Sequence, residues 1–470
     1  MSSHVLLAFF VYFLALLAIG VVSYRRSKTA TDFMVGGRSL NFYVTALSAQ
    51  ASDMSSWLFM AYPGLIFTFG GGSIWVAIGL FVGMWLLWTF IAPRLRVETE
   101  RTGSLTLNAY FAARFGDERG WLRSVSAALS ILYFTFYVAA GLVGIGYLFE
   151  SVLGFDRVLG MSVGIFVVMV YTTVGGFYSI AWVDTWQALF LLAMIVLVPI
   201  LALVDLGGFG QLQLYGRSWS PAPTVSNVVY GVLGWGLAYF GQPHILTKFM
   251  GIKRPEDLRK SKYVGLSWQF VCLVAATLVG FLGIAFFHGY LDNDELVFVL
   301  MVKQLFHPFI GGLVLSGVLA ATISTMDSQI LVLVSTLSQD VYHRFFSKRA
   351  SGKEMVWVSR LCVVLVCVLA YIAALFSHQN VLTLVLYSWA GLGSAFGPVL
   401  LLALHSKRIN FAGAMTGMLF GGGIAAVWPL VEPYIPVPAM VPGFCLNLVV
   451  IYLVSWATRS RSSGPQKPAV

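Results

Sequence analysis

An all-α fold that crosses a membrane about thirteen times is what this sequence predicts, and three observations carry the prediction. Of 470 residues, 59% are hydrophobic and only 10% are charged, with a mean hydropathy of +0.84. A soluble domain carries about 25% charged residues. Thirteen stretches reach the roughly 20 apolar residues that a helix needs to span a bilayer. Lys and Arg gather in alternate connections between those stretches, the pattern that fixes orientation in a membrane. The net charge of +10 therefore belongs to short loops and is no nucleic-acid signature.

The predicted spans are, to within several residues, 4–24, 41–70, 73–93, 121–150, 157–177, 184–204, 226–249, 263–289, 308–342, 355–377, 380–404, 410–432 and 439–458. The first is a span and not a signal peptide, because Arg25, Arg26 and Lys28 follow its apolar run instead of preceding it. With the N-terminus outside, the inner connections hold Arg25–Arg38, Arg94–Arg123, Lys248–Lys262, Arg344–Arg360, Lys407–Arg408 and Arg459–Lys467. Only Arg157, Arg217 and Lys303 of the 29 Lys and Arg residues are left for the outside. The same arithmetic places the C-terminus inside. Two long outer loops are expected at 205–225 and 290–307. The membrane domain is 1–458, and 459–470 reads as a polar, basic, disordered cytoplasmic tail. Cys272, Cys362, Cys367 and Cys445 lie in apolar segments and read as small buried hydrophobes.

The second span is unlike the others. Within ALSAQASDMSSWLFMAYP, residues 46–63, Ser48, Gln50, Ser52, Asp53, Ser55 and Ser56 crowd together. A charged side chain near a bilayer centre costs roughly 2.5–3.5 kcal/mol on insertion scales, so it survives only beside protein partners, water or an ion. Small residues and hydroxyls also let a helix unwind and turn its carbonyls towards a cation. A small-residue helix contact would account for the serines but not for Asp53. The expectation is a broken helix that binds an ion and a solute at mid-membrane. A second interrupted span reads NVVYGVLGWGLAYFGQPHI and carries Gly231, Gly234, Gly236 and Gly241 before Pro243. Two such segments at matching places point to an inverted-repeat transporter, with five-helix sets at about 41–204 and 226–404.

Four stretches resemble the sodium/solute symporter family, and most of all its sodium/proline symporters: LSAQASDMSSW at 47–57, FTFYVAAGL at 134–142, WGLAYFGQPHILTKFM at 235–250 and GVLAATISTMDSQILVLVSTLSQDVY at 317–342. The resemblance covers nearly the whole chain apart from the tail. It implies a leucine-transporter-type fold, two inverted five-helix repeats with flanking helices. It also implies sodium coupling through the carbonyls of Ala51, Met54 and Ala321 and the hydroxyls of Ser324 and Thr325. Helical spacing puts Ala321, Ser324 and Thr325 on one face, and a hard cation takes about five or six such oxygens. Bonds from Ser324 and Thr325 back to their own helix are the plainer alternative.

Asp327 departs from the small hydroxyl residue usual in proline symporters. With Asp184, expected at the inner start of its span, and Ser328, it resembles the second sodium site of some family members. A proton carrier and a structural partner for a hydroxyl are the other two readings. For the solute, the resemblance implies a pocket shaped by Trp57, Tyr137, Trp235, Tyr239 and Gln242, with Ser55 at the break. Aromatic walls suit a small apolar ring, and an amide or hydroxyl orients its polar ends. Asp53 is expected to couple ion and solute. Arg38, in GGRSL, is an inner gate or a positive-inside anchor, and His244 a structural hydrogen-bonder.

The expected function is uptake of a small amino acid, L-proline foremost, driven by inward sodium flow across the cell membrane. Pantothenate, a monocarboxylate, a sialic acid or a sugar would change the cargo and keep the fold; the WGLAYFGQPHI stretch favours proline. Some relatives fuse this fold to a histidine kinase, but the short tail argues against a signalling module. The seven histidines form no ligand spacing and no nucleophile–base pair is visible, so an enzyme is not expected.

Overall fold

The computed structural model describes residues 2–24, 34–174, 176–218, 220–347 and 350–459. Arg25, Arg26, Lys28, Lys348, Arg349 and the tail beyond Arg459 lie outside them, so those parts of the charge arithmetic and the expected disorder of the tail are not described. Among the described residues the structure is helical throughout, with one isolated bridge between Leu40 and Ile252. Among the described residues, nine helical runs are long and apolar enough to cross a membrane, and Ser3–Leu16 and Arg157–Thr173 are shorter apolar helices. One run, Trp57–Arg101, has 45 residues. At 1.5 Å per residue it would extend about 68 Å, twice a bilayer core. It turns instead at Gly70–Ser73, where Gly70 takes φ 72°, a left-handed value that suits glycine.

Two sets of helices follow the same order. In the first, the broken stretch from Phe42 to Phe69 leads into Ile74–Leu86, which continues through Ala92–Arg101, and then Trp121–Leu153, Arg157–Val174 and Phe177–Asp205. In the second, the broken stretch from Val225 to Met250 leads into Leu258–Phe286, Pro308–Ser335, Gly352–Phe376 and Val381–His405. Ser2–Tyr24 precedes them, and Phe411–Val427 and Met440–Ala457 follow. Several helices open on a side-chain cap: Asn41 accepts from the N–H of Val44, Asn380 from Thr383 and Asn410 from Gly413.

The pattern of burial is that of a body immersed in hydrocarbon. Trp357, Leu361, Leu365, Val368, Ile372 and Phe376 recur at helical spacing along one face of Gly352–Phe376, and all are exposed. Pro308–Ser335 instead buries Ser316, Thr322, Ser324, Thr325, Asp327, Ser328 and Gln329 at the centre. Polar groups point in and apolar groups point out.

Two predicted boundaries need correction. Phe177–Asp205 begins seven residues before Asp184. Asp184 therefore sits about 10 Å along the helix and not at its inner start; the polar WVDTWQ stretch had hidden the first two turns from a hydropathy window. The stretch 290–307, expected as a loop, contains a helix, Val297–Leu305, whose Val297, Phe298, Val299, Met301 and Val302 are buried. At nine residues it is too short to register as a span. Just before it, the Glu295 carboxylate accepts from the N–H groups of Val381 and Leu382 at 3.2 and 2.9 Å and caps the helix that starts there.

The Ile74–Leu86 helix meets the second broken stretch backbone to backbone. A Cβ on Gly79 would collide with the Gly231 carbonyl, and one on Gly83 with that of Gly236. Small residues four apart allow this approach. Gly79→Val should cost at least about 3 kcal/mol, read as a lowered thermal unfolding midpoint in detergent. Gly423, whose Cβ position is open, is the control: Gly423→Ala should stay within about 0.5 kcal/mol. Equal midpoints for the two variants would contradict the backbone contact.

Candidate functional site

The first helix break lies where the serines and Asp53 predict it. Phe42–Asp53 ends at Met54, whose backbone leaves the helix at φ −89°, ψ 90°, and helical turns resume at Trp57. Breaking the helix releases carbonyls that would otherwise bond four residues on. The Ala51 carbonyl finds new donors on Pro308–Ser335: Ser324 Oγ donates to it at 2.9 Å and Thr325 Oγ1 at 3.2 Å. The same hydroxyls stand 3.0 and 3.1 Å from the Ala321 carbonyl. The back-bonding alternative and the convergence are thus both present. Four of the five oxygens expected to face sodium come together, and the fifth residue, Met54, is the one at which the chain turns.

A polar chain runs along the N-terminal side of this break. Ser48 Oγ donates to Asp184 Oδ2 at 3.0 Å, and Lys248 Nζ to the same oxygen at 2.8 Å. Ser52 and Ser328 hydroxyls meet at 2.9 Å, and Ser328 Oγ reaches Asp327 Oδ1 at 3.4 Å. Asp184 Oδ1 and Asp327 Oδ2 remain without a protein partner. Lys248, counted above with the inner-loop charges, is 1% exposed and stacks 5.1 Å over the Phe177 ring. It is a buried ion-pair partner and not a loop anchor. Hydropathy sees its charge but not the carboxylate two turns inside another helix.

On the other side of the break stands an aromatic box. The second broken stretch runs through Gly234–Gly236 and Leu237–Gly241, turns extended at Gln242, and resumes as Pro243–Met250. Trp57 and Trp235 rings lie 6.0 Å apart. Tyr239 OH donates to Asp53 Oδ2 at 2.6 Å, and Trp57 Nε1 donates to the Asp53 carbonyl at 2.9 Å. Gln269 Nε2 donates to Tyr239 OH at 3.2 Å. Asp53 is fully buried, and its Oδ1 has no protein partner. Tyr137 OH, Trp235 Nε1 and Gln242 Oε1 are buried with no protein partner. Ser55 Oγ accepts from the Trp57 N–H at 3.4 Å.

Sequence reasoning missed Trp389. It sits on Val381–His405 with its ring 5.1 Å from Tyr239 and 6.4 Å from both Trp235 and Tyr137. A signal was available, because it lies mid-span among Ser388, Ala390 and Gly391 rather than at an interface. His244 packs edge-on against Phe134 and Tyr137, and both its ring nitrogens lack protein partners. Arg38 stands apart from both sites. Its guanidinium donates to the carbonyls of Met250, Thr99 and Ser104 at 3.1, 3.0 and 3.0 Å, and so gathers three inner segments.

The description "Sodium:solute symporter family" matches residues 33–421. The chain is 40% identical over 461 residues to the high-affinity proline transporter PutP of Bacillus subtilis strain 168, covering 96% of this chain and 97% of that protein. It is 38% identical over 485 residues to a sodium/proline symporter of Escherichia coli K12, covering 99% and 95%. Among solved structures it resembles a substrate-bound, outward-open Na+-coupled sialic acid symporter, with a TM-score of 0.81, 18% identity, and coverage of 97% and 98%.

The Asp184–Lys248 pair makes a prediction of its own. Removing one partner of a buried pair leaves an uncompensated charge and costs about 3–5 kcal/mol. Lys248→Met should lower the unfolding midpoint of the purified protein sharply, and adding Asp184→Asn should restore most of the loss. Additive losses in the double variant would mean the pair is not the source.

Proposed function

The chain belongs to the sodium:solute symporter family, and on that footing we propose that it couples inward sodium flow to uptake of L-proline by alternating access. It is a multi-pass protein of the cell membrane and a transporter, not an enzyme. Thirteen crossings, two inverted five-helix repeats of the leucine-transporter type, an outer N-terminus and an inner C-terminus complete the reading. The helix order and the placement of basic residues support it.

One observation carries it: the oxygens of Ala51, Ala321, Ser324 and Thr325 meet at a helix break whose other side is the aromatic box. In the proposed mechanism sodium takes the place of the hydroxyl protons between these oxygens, each O–H turning away so that a lone pair faces the ion. Sodium then fastens the broken helix against Pro308–Ser335. That fixes Met54–Ser56, and the N–H groups of Ser55 and Ser56, which lead into the next half-helix, suit a carboxylate. The pyrrolidine ring lies against Trp57, Tyr137, Trp235 and Tyr239, and Gln242 Oε1 accepts from its ammonium. Asp53, two residues after Ala51 and bonded to Tyr239 and Trp57 of the box, transmits the state of one site to the other. Sodium and proline therefore raise each other's affinity, reciprocally.

Uptake of labelled proline into proteoliposomes under a sodium gradient tests the reading, with pantothenate, a monocarboxylate, a sialic acid and a sugar as rival cargoes. Thr325→Ala should weaken apparent sodium affinity by about tenfold, roughly 1.4 kcal/mol, before it lowers maximal uptake. Unchanged sodium dependence in both Thr325→Ala and its double variant with Ser324→Ala would remove the site.

A second sodium fits the inner polar chain. Asp184 and Asp327 set two carboxylates against one ammonium, and Ser328 adds a hydroxyl. A buried charge without a counter-charge is costly. Uptake should then depend on sodium with a Hill coefficient near about 2, and Asp327→Ser should move it towards one. A coefficient near one in the parent, with Asp327→Ser indistinguishable from it, would make Asp327 a structural hydrogen-bonder.

A further inference from the structure

A cavity of about 200 Å3 lies beside the aromatic box, lined in part by Tyr230, Gly234, Tyr387, Ala390, Trp428 and Glu432. Gly234 and Ala390 are the chain neighbours of Trp235 and Trp389. The cavity therefore abuts the two segments that carry these indoles, whose centroids are 6.4 Å apart. Tyr230, Trp428 and Glu432 lie at helix ends that the charge arithmetic puts outside, so the cavity is on the outer approach.

Of the two indoles, Trp389 is fixed at both its ring and its backbone. Its Nε1 donates to the Trp235 carbonyl at 3.0 Å, and its own carbonyl accepts from Gln242 Nε2 at 3.1 Å. Both bonds run to the second helix break, where the irregular backbone leaves acceptors open. The ring stands edge-on to Tyr239 and Tyr137, at 84° and 89°. Its helix comes close because the neighbouring positions are small: a Cβ on Gly391 would strike the Tyr133 ring, and one on Gly393 the Ala238 backbone. The largest side chain in this part of the helix thus projects into the box between positions that cannot grow.

We infer that Trp389 is the size filter of the solute site, a wall that fits a five-membered ring amino acid and turns larger rings away. The inference rests on the proline reading above. One extra methylene against a tight apolar wall is worth about 10- to 200-fold in discrimination, and an indole backed by Tyr239, Tyr137 and Trp235 has nowhere to retreat. The indole N–H has a separate role, because it positions the Trp235 carbonyl and with it the opposite wall.

The experiment compares sodium-driven uptake of labelled L-proline and L-pipecolate, one ring methylene larger, in proteoliposomes holding the parent, Trp389→Phe or Trp389→Leu. The parent should prefer proline. Trp389→Leu should reduce the preference, as a ratio of kcat/KM values, by about tenfold or more. Trp389→Phe keeps a ring and loses the N–H, so it should raise KM for proline several-fold while retaining most of the preference. Sodium half-saturation at saturating proline should stay within about twofold in both, since neither indole atom touches the Ala51 oxygens. An unchanged ratio in a folded Trp389→Leu protein would overturn the inference and leave Trp389 as packing. If that variant does not fold, Trp389→Phe decides alone: a KM for proline equal to the parent's overturns it. A parent that takes up neither amino acid overturns the proline reading as well, whereas intact proline uptake with unchanged ratios strikes only at Trp389.

Discussion

The carbonyl of Ala51 is the constraint on which the centre of the molecule depends. In hydrocarbon there is no water to satisfy a backbone oxygen released from a helix, so an interrupted helix is tolerated only where another element supplies partners. Ser324 and Thr325 supply them from Pro308–Ser335, and they must be hydroxyls. A longer polar group would push the helices apart, and a methyl would leave the oxygen orphaned. The same two hydroxyls carry lone pairs as well as protons. The arrangement that holds the break without an ion is thus the one that can accept an ion, with only O–H rotations between the two states.

Asp53 ties the second consequence to the first. Its carboxylate accepts from Tyr239 across the two breaks, while its carbonyl accepts from Trp57 in the next half-helix. Any shift of the first break is felt at once by an aromatic wall of the box. The inner polar chain repeats the logic with charge: Ser48 and Ser52 on the broken helix reach Asp184 and Ser328 on two others. The proposed cation site, the aromatic box and the ion pair all make contacts with one twelve-residue helix, Phe42–Asp53.

Much of this was legible in the sequence. The serines and Asp53 announced the first break, Gln242–Pro243 the second, and the spacing of Ala321, Ser324 and Thr325 their common face. Each is a local signal, a residue type or period that costs something in a bilayer unless it has a purpose. What escaped was non-local. Lys248 looks like any basic residue near a span end until Asp184 is placed beside it, and Asp184 looked terminal because its polar neighbours interrupt the apolar run. Val297–Leu305 is short, and its burial depends on what packs over it. Trp389 has an ordinary composition around it, and only its meeting with Trp235, Tyr239 and Tyr137 distinguishes it from a lipid-facing indole.

Among the described residues, Leu40 and Ile252 form an isolated bridge: the Leu40 N–H donates to the Gly251 carbonyl at 3.1 Å, and the Lys253 N–H to the Leu40 carbonyl at 2.9 Å. The inner halves of both broken stretches are thereby sewn together by main chain, and Arg38 adds a side-chain stitch to Met250. Two half-helices joined in this way behave as one lever with its pivots at Met54 and Gln242. Its two arms are tied by these main-chain bonds, so a rigid rotation of the pair would act on both breaks. The timing of ion release and solute release would then be set by hinge geometry, independently of how tightly either passenger is held.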